Sequence, residues 1–428
     1  MHSSNLPRTL AEWLEYQQRV HPRDIELGLQ RIREVWLRLG APQPAPVVIT
    51  VAGTNGKGST IAFLDAILRA QGKRVGTYTS PHLLRYNERV RVAGVEVDDV
   101  TLITEFTRIE AARGDIALTY FEFATLGALL VFAASALDVA ILEVGLGGRL
   151  DAVNLIDADA AVVTTIDLDH QEWLGSDRDA IGREKAGVFR HGRPAILGDA
   201  DPPGGLTDAA TECAALIFAA GHEFNIEIGA SGWSWSNASV RLELPHPALD
   251  APCQHANAAA AIAALHALRD HLDWSAQAIA DGLVSVRLAA RMQRVAGPPE
   301  LVIDVAHNPQ AARTLAAWLA AHPVEGRNLA VFAALGDKDV EGIAAALLPH
   351  VADWHLAGLD RESPRGLNVD ALVRRFPVAT AIGGRHDDVG SALRAAEAMA
   401  TAADRIVAFG SFFVAGAALR HAQQRGGS

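Results

Sequence analysis

Short apolar runs rich in Val, Ile and Leu alternate with longer stretches whose apolar positions recur every three or four residues. Runs of the first kind at 47–52, 74–79, 139–144 and 160–166 predict strands buried on both faces; the stretches at 61–70, 98–113, 121–137 and 178–188 predict helices between them. Two amphipathic helices, over 9–20 and 25–39, precede the first strand, and His21-Pro22-Arg23-Asp24 reads as the loop between them. Residues 88–97 alternate about Ala93-Gly94, a hairpin signal. Strands alternating with helices imply a parallel, doubly wound sheet, in which ligands sit beyond the carboxyl ends of the strands.

The pattern weakens over 199–249, where Trp233 and Trp235 in a Ser/Gly context suggest short β structure, and a strongly apolar helix follows over 254–272. After Gly297-Pro298-Pro299 the rhythm restarts, with strands expected at 301–305, 328–333, 353–356 and 405–409. The expected fold class is α/β: an N-terminal P-loop ATPase-type domain over 1–296 with a mostly parallel sheet, and a smaller Rossmann-like α/β domain over 297–428.

Half of the 428 residues are hydrophobic and 21% charged, enough for a large core. The net charge of −12 argues against a general nucleic-acid binder, so an anionic ligand needs local basic groups. Cys213 and Cys253 form no C-x-x-C pair, the first residues carry no apolar signal core, and the apolar stretch 123–137 is shorter than the ~20 residues of a bilayer span. These features predict a cytoplasmic protein with no membrane partner. Of 38 basic residues only Lys57, Lys73, Lys185 and Lys338 are lysines, which points to positions needing a compact ammonium or a reactive amine.

The candidate chemistry begins where the first strand breaks into Gly53-Thr54-Asn55-Gly56-Lys57-Gly58-Ser59-Thr60. A glycine-rich turn entering a helix directs backbone N–H groups at a phosphate, Lys57 would reach its outer oxygens, and Ser59 or Thr60 offers a hydroxyl to Mg²⁺. The spacing departs from the usual G-x-x-x-x-G-K-[ST], since Val51 replaces the first glycine and Gly58 follows the lysine. A bland βα turn would not need three glycines around a lysine. Ser80, Glu143 and His170 fall at neighbouring strand ends and together could hold a divalent cation on the phosphates. In the second domain Asp304-Val305-Ala306-His307-Asn308-Pro309 again ends a strand; an N-cap by Asn308 ahead of Pro309 explains its tail but not Asp304 or His307.

These motifs, with Ser80-Pro81-His82-Leu83, Tyr120-Phe121-Glu122-Phe123, the run from Glu143 through Gly147-Gly148-Arg149 to Asp151, and Glu184-Lys185-Ala186-Gly187, resemble the dihydrofolate synthase/folylpolyglutamate synthase family of the Mur ligase superfamily. The similarity covers essentially the whole chain. It implies an ATP-dependent ligase joining L-glutamate to dihydropteroate and to reduced folates through an acyl phosphate, with ATP and Mg²⁺ as cofactors, as a monomer. It implies ATP contacts from Thr54, Asn55, Gly56, Lys57, Gly58, Ser59, Asn257, Arg291 and Asp304, and metal ligation by Ser59, Ser80, Glu143 and His170. The pterin substrate would meet Ile25, Glu26, Leu27, Thr119, Tyr120, Phe121, Glu122, Leu150, Asp151 and Ala152. Lys57, Lys185 and His307 would be catalytic, Lys185 as the lysine that this superfamily carbamylates with CO₂. Two positions depart from the family: Ala289-Ala290 stands where Pro-Gly usually precedes the arginine, and Phe413 where a histidine is common. The rival readings are a Mur-type ligase acting on a peptidoglycan precursor and a P-loop NTPase that makes no bond. With two helices read before the phosphate loop, the expectation is that no additional sugar-nucleotide domain stands there, which weighs against the first rival.

Overall fold

The structure, a computed structural model, describes residues 6–23, 25–377 and 382–426. Asp24 of the expected loop lies outside the described residues. The chain forms two compact units: Met1–Ala248 with His255–Val286, and Leu249–Gln254 with Arg287–Ser428.

The first unit is built on an eight-stranded sheet in the order Val95–Glu96, Val90–Val92, Val75–Tyr78, Val139–Glu143, Val47–Ala52, Ala160–Val163, Pro194–Leu197, Leu216–Ala219. All pairings are parallel except those of the Val90–Val92 and Val95–Glu96 hairpin, whose turn uses Ala93 at φ 52° and Gly94 at φ 80°. Val47–Ala52 is buried along its whole length, as its unbroken apolar run requires. It lies between Val139–Glu143 and Ala160–Val163, so four strand ends that carry candidate residues are contiguous.

The first helix, Leu10–Val20, starts at a Thr9–Glu12 capping box. The second begins only at Gln30, and the expected helical reading of 25–29 is corrected. Gly28 takes φ 151°, a value open to glycine, and its N–H donates to Leu150 O at 3.3 Å, which holds Ile25–Leu27 in a loop. The apolar stretch after Thr119 is the buried helix Tyr120–Ala133, and among the described residues no helix is long and apolar enough to cross a membrane. Across 199–249 the chain forms the helix Gly204–Glu212, the sheet-edge strand Leu216–Ala219 and a three-stranded antiparallel sheet of Phe224–Ile228, Trp233–Asn237 and Arg241–Leu244.

The second unit carries a six-stranded sheet in the order Gln293–Val295, Glu300–Ile303, Arg405–Phe409, Asn328–Phe332, Asp353–Ala357, Ile382–His386, parallel but for the first pair. Its start differs from the expected 296/297 boundary for a physical reason. Gln293–Val295 pairs with Glu300–Ile303 across the Gly297-Pro298-Pro299 turn, so that turn lies inside the unit.

Candidate active site

The segment from Gly53 to Gly56 is shaped by close approach rather than by flexibility. Gly53 has φ 141° and Gly56 φ 89°. A Cβ on Gly53 would overlap the Thr164 hydroxyl, and one on Gly56 the Asn257 amide oxygen. The turn is strapped to the chain leaving Ala160–Val163: Thr54 N–H donates to Thr165 O at 2.7 Å, Asp167 N–H to Thr54 Oγ1 at 3.1 Å, and the Thr164 hydroxyl to Asn55 O at 2.6 Å. The turn enters the helix Lys57–Ala70, whose N-cap Gly56 supplies no side-chain cap to the first-turn N–H groups. Ser59 and Thr60 are buried in that first turn.

Two lysines converge on one oxygen of this loop. Lys57 Nζ donates to Gly53 O at 3.0 Å and to Thr54 O at 3.1 Å, while Lys185 Nζ donates to the same Gly53 O at 3.0 Å. Lys185 ends the helix Arg178–Lys185 and is 5% exposed. Burial first, and the Lys57 ammonium second, bring its amine down to about 7, against the opposing pull of Asp169, Asp151 and Glu184. It is an amine that is substantially neutral near physiological pH, beside a phosphate-type loop.

At the neighbouring strand ends, Ser80 N–H donates to Glu143 Oε2 at 2.9 Å, fixing a buried carboxylate beside the Ser80 hydroxyl. His170 stands at φ 50° ahead of the short helix Gln171–Leu174. A carboxylate, hydroxyls and one imidazole form a predominantly hard donor set, which fits Mg²⁺ or Mn²⁺.

The three stretches expected to meet the pterin are tied together. Arg31 donates to Glu26 Oε1 at 2.7 Å, to Glu26 O at 2.8 Å and to Glu122 Oε1 at 3.2 Å, while the Gly28–Leu150 bond links the loop to the turn that contains Ala152. Several of the named side chains hold backbone in this structure. Thr119 and Glu122 form the capping box of Tyr120–Ala133, and buried Asp151 accepts from Leu146 N at 2.8 Å and Val153 N at 3.0 Å. Burial lifts the Asp151 carboxyl to about 6. Tyr120 faces the Arg89 guanidinium at 5.5 Å, and Phe121 packs against Tyr78. Arg31 and Arg89 are absent from the sequence reading, because nothing local separates them from other surface-type arginines.

In the second unit, Asp304 accepts from Met292 N at 2.8 Å and from Ala306 N at 2.7 Å; burial raises its pKa, opposed mainly by Arg291. In the turn presenting Arg291, Ala290 takes φ 55° and Met292 φ 48°. The Arg291 guanidinium lies 5.6 Å over the Phe412 ring. His307 Nδ1 lies 2.8 Å from Val305 O, and a carbonyl only accepts, so that nitrogen carries the proton. Asn308 caps Pro309–Ala321 through Ala311 N–H, as expected, and Phe413 is exposed.

The chain matches two family models, Mur ligase middle domain over residues 51–214 and Mur ligase, glutamate ligase domain over 290–412. It is 49% identical over 404 residues to the dihydrofolate synthase/folylpolyglutamate synthase of Escherichia coli K12, covering 94% of this chain and 93% of that protein. A structure of E. coli FolC in complex with DHPP and ADP superposes with a TM-score of 0.92 at 47% identity, covering 98% of both chains. A bifunctional folylpolyglutamate synthase/dihydrofolate synthase with Mn, AMPPNP and L-glutamate bound gives 0.89 at 45%, over 97% of this chain and 98% of that one. With the phosphate loop, the paired lysines and the strand-end donors in place, the chain belongs to the dihydrofolate synthase/folylpolyglutamate synthase family of Mur ligases.

Proposed function

We propose that this protein joins L-glutamate to dihydropteroate, and to reduced folates in chain extension, at the expense of ATP. The observation that carries the site assignment is the meeting of Lys57 and Lys185 on the Gly53 carbonyl. Lys57 and the first-turn N–H groups of Lys57–Ala70 would neutralise charge on the transferring phosphoryl group. The substrate carboxylate attacks the γ-phosphorus, the bond to the β-bridging oxygen breaks, and ADP leaves an acyl phosphate. The glutamate amine, having lost a proton, attacks the acyl carbon, and inorganic phosphate departs. Ser59, Ser80, Glu143 and His170 would hold Mg²⁺, which supplies Lewis-acid stabilisation of phosphate oxygens when bound.

Lys185 enters as its carbamate. The neutral amine adds to CO₂ and releases a proton, converting a buried neutral amine into an anion suited to the cation site. Thr54, Asn55, Gly56, Gly58, Asn257, Arg291 and Asp304 would contact the nucleotide. His307 would face the reacting acyl group. Ile25–Leu27, Tyr120, Phe121 and the turn at Leu150 and Ala152 would receive the pterin, with Thr119, Glu122 and Asp151 setting their backbone. Two free cysteines suit a reducing compartment, and we assign the cytoplasm.

ADP release measured with dihydropteroate and glutamate, with tetrahydrofolate and glutamate, and with each acid alone tests this reading. Turnover should require an acid and glutamate together. ADP release indifferent to both would leave only an NTPase.

A further inference from the structure

Arg89 is a buried cation without a counter-ion. It closes the short helical turn Tyr86–Arg89 and is 7% exposed. Its guanidinium lies 5.5 Å from the centres of both the Tyr86 and the Tyr120 rings, and its Nε donates to His82 Nδ1 at 2.9 Å. Among the described residues no carboxylate oxygen lies within 4.0 Å of it and its two terminal nitrogens make no hydrogen bond.

The neighbouring groups do not neutralise it. Glu88, next in the chain, is turned to the Leu83, Leu84 and Arg85 N–H groups at 2.7–2.8 Å. His82 supplies no negative charge: its Nδ1 accepts the Arg89 Nε–H, as an imidazole nitrogen carrying no proton. The tyrosines stay protonated, their hydroxyls shifted upward by burial. A desolvated arginine is normally paired, because the low-dielectric interior penalises a lone charge. One lying over two mutually perpendicular rings, with both terminal nitrogens unengaged, keeps its planar fork set for a two-oxygen anion.

We propose that Arg89 binds a substrate carboxylate; the proposal rests on the ligase reading above. Position distinguishes this anion from the nucleotide. Arg89 follows Val75–Tyr78, one strand removed from the phosphate-loop strand Val47–Ala52, with Val139–Glu143 between them. It shares Tyr120 with the pterin-facing stretch and His82 with the loop that begins at Ser80. Both organic substrates of the reaction carry carboxylates, so the two sources are the pterin acid and L-glutamate.

Steady-state kinetics of Arg89→Met and Arg89→Lys, varying dihydropteroate and glutamate separately, tests the assignment. Thermal melts and ADP affinity serve as controls of fold and nucleotide site. KM for one acid should rise roughly 10- to 100-fold in Arg89→Met, with ADP affinity unchanged, as for loss of a charge-assisted pair. A rise confined to dihydropteroate identifies the attacking acid as the ligand; one confined to glutamate identifies the amino acid. Arg89→Lys keeps the charge but not the fork, and should show a smaller rise in the same KM; it carries the test if Arg89→Met does not fold. Unchanged KM values for both acids in a folded variant overturn the proposal, while substrate-dependent ADP release by the unaltered protein keeps the ligase reading standing independently.

Discussion

At the scale of single residues, Lys185 is the group on which the proposed chemistry depends most. Its amine sits at about 7 instead of the ordinary 10.5, so between those values the unfolded chain holds a proton that the folded chain has released. Stability therefore rises with pH across that window and is lowest below 7. Lys185→Met removes the buried amine; in CO₂-free buffer at pH 6 denaturant unfolding should show it more stable by on the order of 4 kcal/mol, with the advantage gone above pH 10. Equal stability of the two proteins at pH 6 would show that the amine carries no such penalty. The same variant should be nearly inactive in ligation, and Lys185→Ala should regain part of its activity with acetate or formate, which would supply the charge of the proposed carbamate. Ala290 makes a second point. At φ 55° it occupies a region that costs an L-residue about 1–2 kcal/mol, and Ala290→Gly should recover on the order of 1 kcal/mol in melting experiments while leaving Arg291 in place. Melting unchanged or lowered would mean that the turn stores no strain.

At the scale of elements, the phosphate turn is set by contact with its neighbours. Gly56→Ala places a methyl group on the Asn257 amide at a backbone angle of φ 89°, and should abolish ADP binding measured by calorimetry while the far-UV spectrum stays native. The first helix carries a different tension. Gln17 is buried with neither amide atom hydrogen-bonded among the described residues, one turn from Trp13 in the aromatic core. Gln17→Leu should stabilise by about 1–3 kcal/mol on chemical denaturation, the desolvation penalty of an unmet amide. Much of this layer was legible beforehand. The apolar runs at 47–52 and 405–409 read as strands because burial on both faces leaves an unbroken pattern, and the Asn308-Pro309 helix start followed from its own chemistry. The loop at 25–29 was hidden because its apolar spacing continues that of Gln30–Arg38, and only the Gly28 backbone and its partner on Leu150 interrupt the helix. Strand Gln293–Val295 was hidden because three residues carry no period of their own. Arg89 was invisible for another reason: its lack of a counter-ion is a property of its surroundings in the fold.

At the scale of the whole molecule, two mostly parallel sheets each present polar residues at strand ends. In the first unit these are the Gly53–Gly56 turn, Ser80, Glu143 and His170; in the second, Asp304 and His307. The family models match stretches of both units, and the central claim of the proposed reaction is that the acid's own oxygen is transferred to phosphorus. Dihydropteroate labelled with ¹⁸O in both carboxylate positions, turned over with ATP and glutamate, tests this directly by mass spectrometry of the products. One labelled oxygen should appear in inorganic phosphate and the other in the new amide carbonyl. Phosphate free of label, formed together with the amide product, would contradict the acyl-phosphate route.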